Sequence, residues 1–160
     1  MPRPASPGGP PRTPIAIALG SNLGDRARFL DGAVTRLRPL LDDLHVSRWI
    51  ETAPVGVGVQ PPFLNGALAG TTTLGARALL DALLAIEREA GRARPHPGAA
   101  RTLDLDLILY GDAIIDEPGL VVPHPRYRGR AFVLEPLAEV AGEWRDPVTG
   151  QTVRETLAGL

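Results

Sequence analysis

Short apolar runs separated by turn-forming residues predict several β-strands in this chain. IAIAL (15–19) has the length of a strand and leads into the loop GSNLGD (20–25). HVSRWIET (45–52) and FLNGALAGTTT (63–73) are predicted as the next two strands, and a Gly- and Pro-rich loop lies between them.

Apolar residues at helical spacing predict helices between these strands. The clearest is 76–91, where Gly91 stands in the position that commonly ends a helix, and another runs from about residue 25 to residue 41. The segment 131–141 is predicted to be helical in pieces around Pro136, and a short helix is expected at the C-terminus. Strands and helices do not alternate regularly. The pattern therefore favours an α+β fold with a largely antiparallel sheet and helices packed on it.

The segment RTLDLDLILYGD (101–112) predicts a strand with two different faces. We expect its inward face to carry Leu103, Leu105, Leu107 and Leu109. The opposite face carries Asp104 and Asp106, beside Thr102, Ile108 and Tyr110. Two like charges at this spacing, with Cβ atoms roughly 7 Å apart, repel each other unless a cation lies between them. A divalent metal site is one interpretation, and an exposed sheet face with two solvated acids is the other.

Composition narrows the chemistry. The chain has 160 residues with 44% hydrophobic residues, a net charge of -1, no cysteine and three histidines. A thiolate site is excluded, so any metal would be held by carboxylates, which favours Mg²⁺ or Mn²⁺. We expect no nucleic-acid or membrane partner, since the net charge is small and no apolar run could span a bilayer. Residues 1–13 are expected to be a disordered leader and 14–160 a single domain, located in the cytoplasm.

Arginines flank the aspartate pair. Arg92 and Arg94 precede it in a Gly- and Pro-bounded loop, and Arg101 lies directly before it. Another group follows later in the chain: Arg126, Arg128 and Arg130, around His124. Guanidinium groups are suited to neutralising polyphosphate oxygens. Because all basic residues here are arginine, some of these positions are equally well explained as ordinary surface arginines.

Other candidate positions have structural explanations of equal or greater weight. GSNLGD could bind phosphate through backbone N–H groups, but it lacks a P-loop lysine, and a tight turn with a helix cap is the simpler interpretation. Asn65 and Thr52 could pair with the edge of a heterocycle. Phe63 and Phe132 could stack on its faces or could simply be core residues.

Five segments of the chain form a set: ALGSNLGDR (18–26), ETAPVG with QPPFLNGA (51–67), IEREAGR (86–92), RTLDLDLILYGD (101–112) and VPHPRYRGRAFVLEPLAEVA (122–141). Taken together, they resemble the 6-hydroxymethyl-7,8-dihydropterin pyrophosphokinase family. They occur in the family's order and spacing and cover nearly everything after the leader.

The resemblance implies a ferredoxin-like α+β core and transfer of pyrophosphate from ATP to the pterin hydroxymethyl group, with release of AMP. It implies two Mg²⁺ ions at Asp104 and Asp106. The implied pterin-binding residues are Thr52, Val55, Phe63, Asn65 and Phe132. The implied ATP-binding residues are Glu87, Arg92, Arg101, Ile108, His124 and Arg130, of which Arg92 and Arg101 are also expected to be catalytic.

One stretch departs from the family pattern. PHPGAA (95–100) has Gly98 where family members commonly carry an aromatic residue that covers the pterin. A pterin-binding protein with weakened or no catalysis is therefore the alternative function. A metal-dependent glycosyltransferase is more remote, because the chain is short for that class. We expect a monomer.

Overall fold

The computed structural model describes residues 11–52, 62–91 and 103–160, which form α-helices and β-strands in mixed order. None of the helices in these ranges is long and apolar enough to cross a membrane. Single 3-10 turns lie at Arg38–Leu40 and Tyr127–Gly129. In chain order the elements are β1 (Thr13–Ser21), α1 (Arg26–Leu37), β2 (Asp42–Val46), β3 (Ile50–Thr52), β4 (Phe63–Thr72), α2 (Ala76–Glu89), β5 (Asp104–Tyr110), β6 (Ile115–Glu117), β7 (Leu120–Val122), α3 (Ala131–Ala141) and α4 (Val153–Ala158).

The main sheet is antiparallel throughout and has β4 and β1 at its centre. The strand order is β2-β4-β1-β5, and β3 pairs with β4 on the same side as β2, while β6 and β7 form a separate hairpin. Because β4 lies between β1 and β2, the β1-α1-β2 unit is split, which is the ferredoxin-like arrangement. The predicted α+β class and ferredoxin-like core are confirmed.

One face of the sheet carries large aliphatic side chains and packs against α1 and α2. We call it the aliphatic face. The helices contribute Leu30, Leu37, Leu79 and Leu83, all fully buried, and each such burial stabilises the fold by about 1.5–3 kcal/mol. The sheet contributes Ile15, Ile17, Leu19, Leu68, Leu105 and Leu107.

The opposite face carries small side chains and packs against α3, which also contacts α4. We call it the alanine face, defined by Ala16, Ala18, Ala67 and Ala69. With side chains this small on the sheet, α3 can approach closely. It fills the layer with Val133, Leu134, Leu137 and Ala141.

The predicted leucine face of β5 is correct for Leu105 and Leu107 but wrong for Leu109. The pairing with β1 shifts from Ile17 opposite Leu107 to Ala16 opposite Leu109, so Ile108 is an extra residue in a β-bulge. A bulge reverses the alternation beyond it. Ile108 and Leu109 are consequently both buried on the alanine face, and Tyr110 packs on the aliphatic face.

The predicted single strand at 45–52 is two strands. The Ser47 side chain accepts a 2.9 Å hydrogen bond from the Ala67 N–H and so substitutes for a backbone carbonyl between β2 and β3. The N-terminal boundary also differs, because Thr13 already belongs to β1. Of the rest of the predicted leader, residues 11 and 12 are exposed and belong to no strand or helix, and 1–10 lie outside the described residues. Pro136 does not break α3, whose buried face against the sheet supports one continuous helix.

Candidate functional site

The candidate site lies at one end of the alanine face, where polar residues replace the alanines on neighbouring strands. Asn65 of β4, Gly20 of β1 and Asp104 of β5 form one row across the sheet. A Cβ atom at Gly20 would lie 3.0 Å from the Asn65 Oδ1 atom and 3.8 Å from the Phe63 ring. Backbone without a side chain therefore separates the amide of Asn65 from the carboxylate of Asp104.

Asp104 and Asp106 lie on the same face of β5, as predicted, and both are half-buried. Asp106 is opposite Ala18 of β1, so the neighbouring side chain on that strand is also small. Their oxygen donors fit a hard divalent cation such as Mg²⁺. In the ranges that the structure describes, no group of three or more acidic, histidine or cysteine side chains is arranged to hold a metal. The pair fits an ion that takes its remaining ligands from a substrate.

Glu87 of α2 binds the backbone of β5 between the two aspartates. Its side chain is only 2% exposed, and Oε2 accepts a 2.7 Å hydrogen bond from the backbone N–H of Leu105. Leu105 lies between the two aspartates, on a strand at the end of the sheet. The buried carboxylate therefore holds the strand at this point, while its predicted contact with ATP stays a prediction.

The predicted pterin-reading residues on β3 and β4 are in contact. Asn65 is 6% exposed, and its Nδ2 atom donates a 2.6 Å hydrogen bond to the Thr52 Oγ1 atom. That bond orients the amide and leaves Oδ1 above Gly20. Phe63, two residues before Asn65 on the same face of β4, is half-buried.

Phe132 lies at the start of α3 and is unusually exposed for an aromatic residue, at 37%. The Arg130 guanidinium carbon is 5.6 Å from the centroid of its ring, which is within the range of a cation–π contact. Phe132 therefore extends from the helix that covers the alanine face, on the side of the sheet where Phe63 and Asn65 lie.

His124 brings the segment after β7 beside β5. Its backbone N–H donates to the carbonyl of Ile108 at 3.0 Å, and its Nδ1 atom accepts from the Arg126 N–H at 3.2 Å. Burial lowers the pKa of His124, and the charges of Arg130 and Arg126 lower it further, while the nearby Asp104 acts in the opposite direction. The imidazole is thus favoured in its neutral form. The Ile108 side chain is 1% exposed within the core.

Two structural connections around the site were not predicted. Arg26 of α1 donates one hydrogen bond to the Pro62 carbonyl and another to Glu51, each at 2.8 Å, and so ties together the ends of β3 and β4. Asp146 is buried and binds Tyr127 and Arg128 in the segment that follows His124. DPVTG (146–150) predicts a turn, but no local pattern indicates its distant partners.

The remaining predicted site residues cannot be placed in this geometry. Val55, Arg92 and Arg101 all lie outside the described residues. The predicted catalytic role of the two arginines and the pterin contact of Val55 therefore stay predictions.

The topology and the site together define an α+β protein with a ferredoxin-like core and a row of polar residues at one end of its alanine face. Residues 16–142 match the model of the family described as 7,8-dihydro-6-hydroxymethylpterin-pyrophosphokinase (HPPK). The match covers most of the chain, and this protein belongs to that family.

Relatives of similar length carry the corresponding name. The 2-amino-4-hydroxy-6-hydroxymethyldihydropteridine pyrophosphokinase of Pseudomonas aeruginosa is 42% identical over 146 residues, covering 90% of each chain. The enzyme of that name from Synechocystis is 41% identical over 140 residues, covering 86% of this chain and 71% of its own. The Bacillus subtilis protein of the same name is 44% identical over 126 residues, covering 78% of this chain and 75% of its own.

Solved structures show the same fold at much lower identity. A crystal structure of HPPK-DHPS in complex with substrates has a TM-score of 0.72 with this chain at 13% identity, covering 93% of this chain. A Plasmodium falciparum HPPK-DHPS structure with pteroate has a TM-score of 0.72 at 13% identity, covering 95% of this chain. This chain spans 43% and 44% of those two proteins. At this identity the likeness concerns the fold alone.

Proposed function

We propose that this protein transfers pyrophosphate from ATP to the hydroxymethyl oxygen of 6-hydroxymethyl-7,8-dihydropterin, a step of folate biosynthesis. The hydroxyl oxygen attacks the β-phosphorus, the bond to the α-phosphate oxygen breaks, AMP leaves, and the hydroxyl proton passes to solvent. The observation that carries the proposal is the row Asn65, Gly20 and Asp104, with an amide at one end and a carboxylate at the other.

The amide end of the row is suited to a flat heterocycle. The Asn65 Oδ1 atom is an acceptor that lies above Gly20. The NH₂ group of the same amide already donates a hydrogen bond to Thr52. Phe63 and Phe132 would cover the two faces of the ring, where stacking adds roughly 0.5–1.5 kcal/mol beyond simple burial. By the family resemblance, Val55 would also contribute to the pterin pocket.

The carboxylate end is suited to a nucleotide triphosphate with its metal. Asp104 and Asp106 would hold Mg²⁺, expected as two ions, and the metal when bound would neutralise charge on the phosphate oxygens. Arg130 and the neutral His124 would donate hydrogen bonds to those oxygens. Positioning and charge neutralisation are the main contributions that a protein makes to phosphoryl transfer.

Other parts of the proposal rest on the family resemblance. Arg92 and Arg101 would deliver positive charge to the phosphates, and Glu87 and Ile108 would line the ATP side. We expect the protein to act as a monomer in the cytoplasm.

Incubation of the protein with ATP, Mg²⁺ and the reduced pterin tests the proposal, with nucleotides separated by chromatography. We expect AMP and pterin diphosphate in equal amounts, no AMP without the pterin, and loss of turnover on chelation that is reversed by added Mg²⁺. ADP as the sole nucleotide product would refute the transfer. Pterin binding without any AMP would instead identify a binding protein.

A further inference from the structure

The segment 123–130 connects β7 to α3 and carries two of the residues proposed to bind phosphate, His124 and Arg130. Its regular structure is limited to the single 3-10 turn Tyr127–Gly129. Such a segment has few backbone hydrogen bonds of its own, so its position must be set by contacts with other parts of the fold.

A buried carboxylate makes those contacts from the C-terminal part of the chain. Asp146 is 1% exposed and accepts hydrogen bonds from the Tyr127 hydroxyl at 2.6 Å and from Arg128 Nε and Nη2 at 2.6 and 3.1 Å. It also accepts from the N–H groups of Val148 and Thr149, at 2.8 and 3.3 Å. The carboxylate therefore joins its own turn to the phosphate-binding segment through charge-assisted bonds.

Tyr127 restrains the backbone of Arg130 directly. The Tyr127 ring is fully buried in the alanine-face cluster, and its carbonyl accepts a 3.1 Å hydrogen bond from the Arg130 N–H. The Arg130 carbonyl in turn accepts from Leu134 in the first turn of α3, at 2.9 Å. The backbone that bears Arg130 is thus fixed on one side by α3 and on the other by the tyrosine that Asp146 holds.

From this geometry we infer that Asp146 is a positioning residue for nucleotide binding, acting through Tyr127 and Arg128 on Arg130. The inference rests on the proposed function, since it assigns an effect on the ATP side of that site. Arg128 then has a definite role. It does not serve as a third phosphate ligand but binds a buried carboxylate and anchors the segment.

The ionisation of Asp146 is compatible with this role. Burial acts to raise the pKa of Asp146, but the hydrogen bonds from Arg128, Tyr127 and the Val148 N–H outweigh it, and the pKa is lowered from its ordinary value. A carboxyl group with a lowered pKa is charged throughout the neutral range. The contact with Arg128 is therefore complete under ordinary assay conditions.

Asp146→Asn tests the inference with almost no change of shape. We expect the Kd of a non-hydrolysable ATP analogue, measured by calorimetry with Mg²⁺, to rise about tenfold, because misplacement of a binding group by a fraction of an ångström weakens its contact. We expect the KM for the pterin to rise less than this Kd, since Asn65, Thr52 and Phe63 lie on other strands and only Phe132 follows closely after Arg130. Tyr127→Phe and Arg128→Gln each remove one partner of Asp146 and should raise the Kd of the ATP analogue by a smaller factor. These two variants test the inference if Asp146→Asn does not fold.

Two matched controls separate positioning from general loss of stability. Glu143→Gln removes an exposed carboxylate paired with Arg154 in the same region and should leave the Kd unchanged. Val153→Ala creates a cavity in the same apolar cluster without touching Asp146 and should lower the melting temperature but not the affinity of the folded protein. Unchanged binding in Asp146→Asn, or equal weakening in Val153→Ala, would overturn the inference. Failure of the wild-type protein to bind the analogue would instead count against the proposed function.

Discussion

The two faces of the main sheet differ in the role of their side chains: one face packs a core, and the other also carries the candidate site. On the aliphatic face, large leucines and isoleucines meet two helices and are fully buried. On the alanine face, side chains are small under α3, and the same strands end in a glycine, an amide and two carboxylates. One alternating strand pattern thus supplies a core of large side chains on one face and, on the other, a core that gives way to a row of polar residues at one end. Stability should therefore depend mostly on the first face and chemistry on the second.

The largest expected effect is a loss of turnover when the carboxylates of the alanine face are replaced. On the proposed function, Asp104→Asn or Asp106→Asn should reduce turnover by at least about a hundredfold without lowering thermal stability, because each removes a negative charge that would hold Mg²⁺. Steady-state kinetics and a melting curve measure both quantities. Asp112→Asn, in the exposed turn just after β5, is the matched control and should retain full turnover. Near-normal rates in both site variants would remove the carboxylates from the mechanism.

A core substitution on the aliphatic face should have the opposite profile. Leu83→Ala removes a fully buried side chain of α2 and should lower the free energy of unfolding by about 2–5 kcal/mol, measured by urea denaturation. The kcat of the protein that remains folded should be unchanged. Leu84→Ala, the next residue at 38% exposure, should stay within about 0.5 kcal/mol of the wild type. A fall in kcat for Leu83→Ala at full folding would mean that the two faces are not independent.

The sequence predicts the aliphatic face more completely than the alanine face, for a physical reason. Helical and strand periodicity are local, so Leu79, Leu83 and Leu105 can be assigned to a core from the spacing of their neighbours. The bulge at Ile108 breaks the period within a single strand, and no residue type marks it. Strand periodicity therefore assigns Leu109 to the wrong face.

The candidate site was predictable only in part. Strand geometry places Asp104 and Asp106 on one face of β5. The sequence predicts that Asn65 and Thr52 share a substrate pocket, but it does not predict the hydrogen bond between them. The role of Asp146 could not be predicted, because it depends on a fold that brings residue 146 to residues 127 and 128. Arg26 is a similar case, with partners 25 and 36 residues away. Contacts at such separations are set by topology and not by local pattern.

Two neighbouring glycines, one on each face, show the difference at the scale of a single methyl group. A Cβ atom at Gly66 would lie 2.2 Å from the Trp49 ring on the aliphatic face. Trp49 is also held by a 3.0 Å hydrogen bond from its Nε1 atom to Asp31 of α1. Gly66→Ala should therefore displace the ring and cost about 1–3 kcal/mol of unfolding free energy, as overpacking usually does, with little effect on the KM for the pterin.

Gly20→Ala is the counterpart on the alanine face and should change stability less than Gly66→Ala does, by about 1 kcal/mol. The added Cβ atom would lie tightly, at 3.0 Å, against the Asn65 Oδ1 atom, and relieving that contact costs about as much as the Asn65–Thr52 hydrogen bond. Gly20 is not among the glycines that have a positive φ, so its requirement is for space and not for conformation. The added methyl group would push Asn65 Oδ1 out of position and narrow the gap toward Asp104. We expect the KM for the pterin to rise by about tenfold, on the scale of one misplaced hydrogen bond, while the Kd for the ATP analogue changes little. If Gly20→Ala instead unfolds the protein and Gly66→Ala impairs only the pterin KM, the assignment of stability to one face and chemistry to the other is reversed.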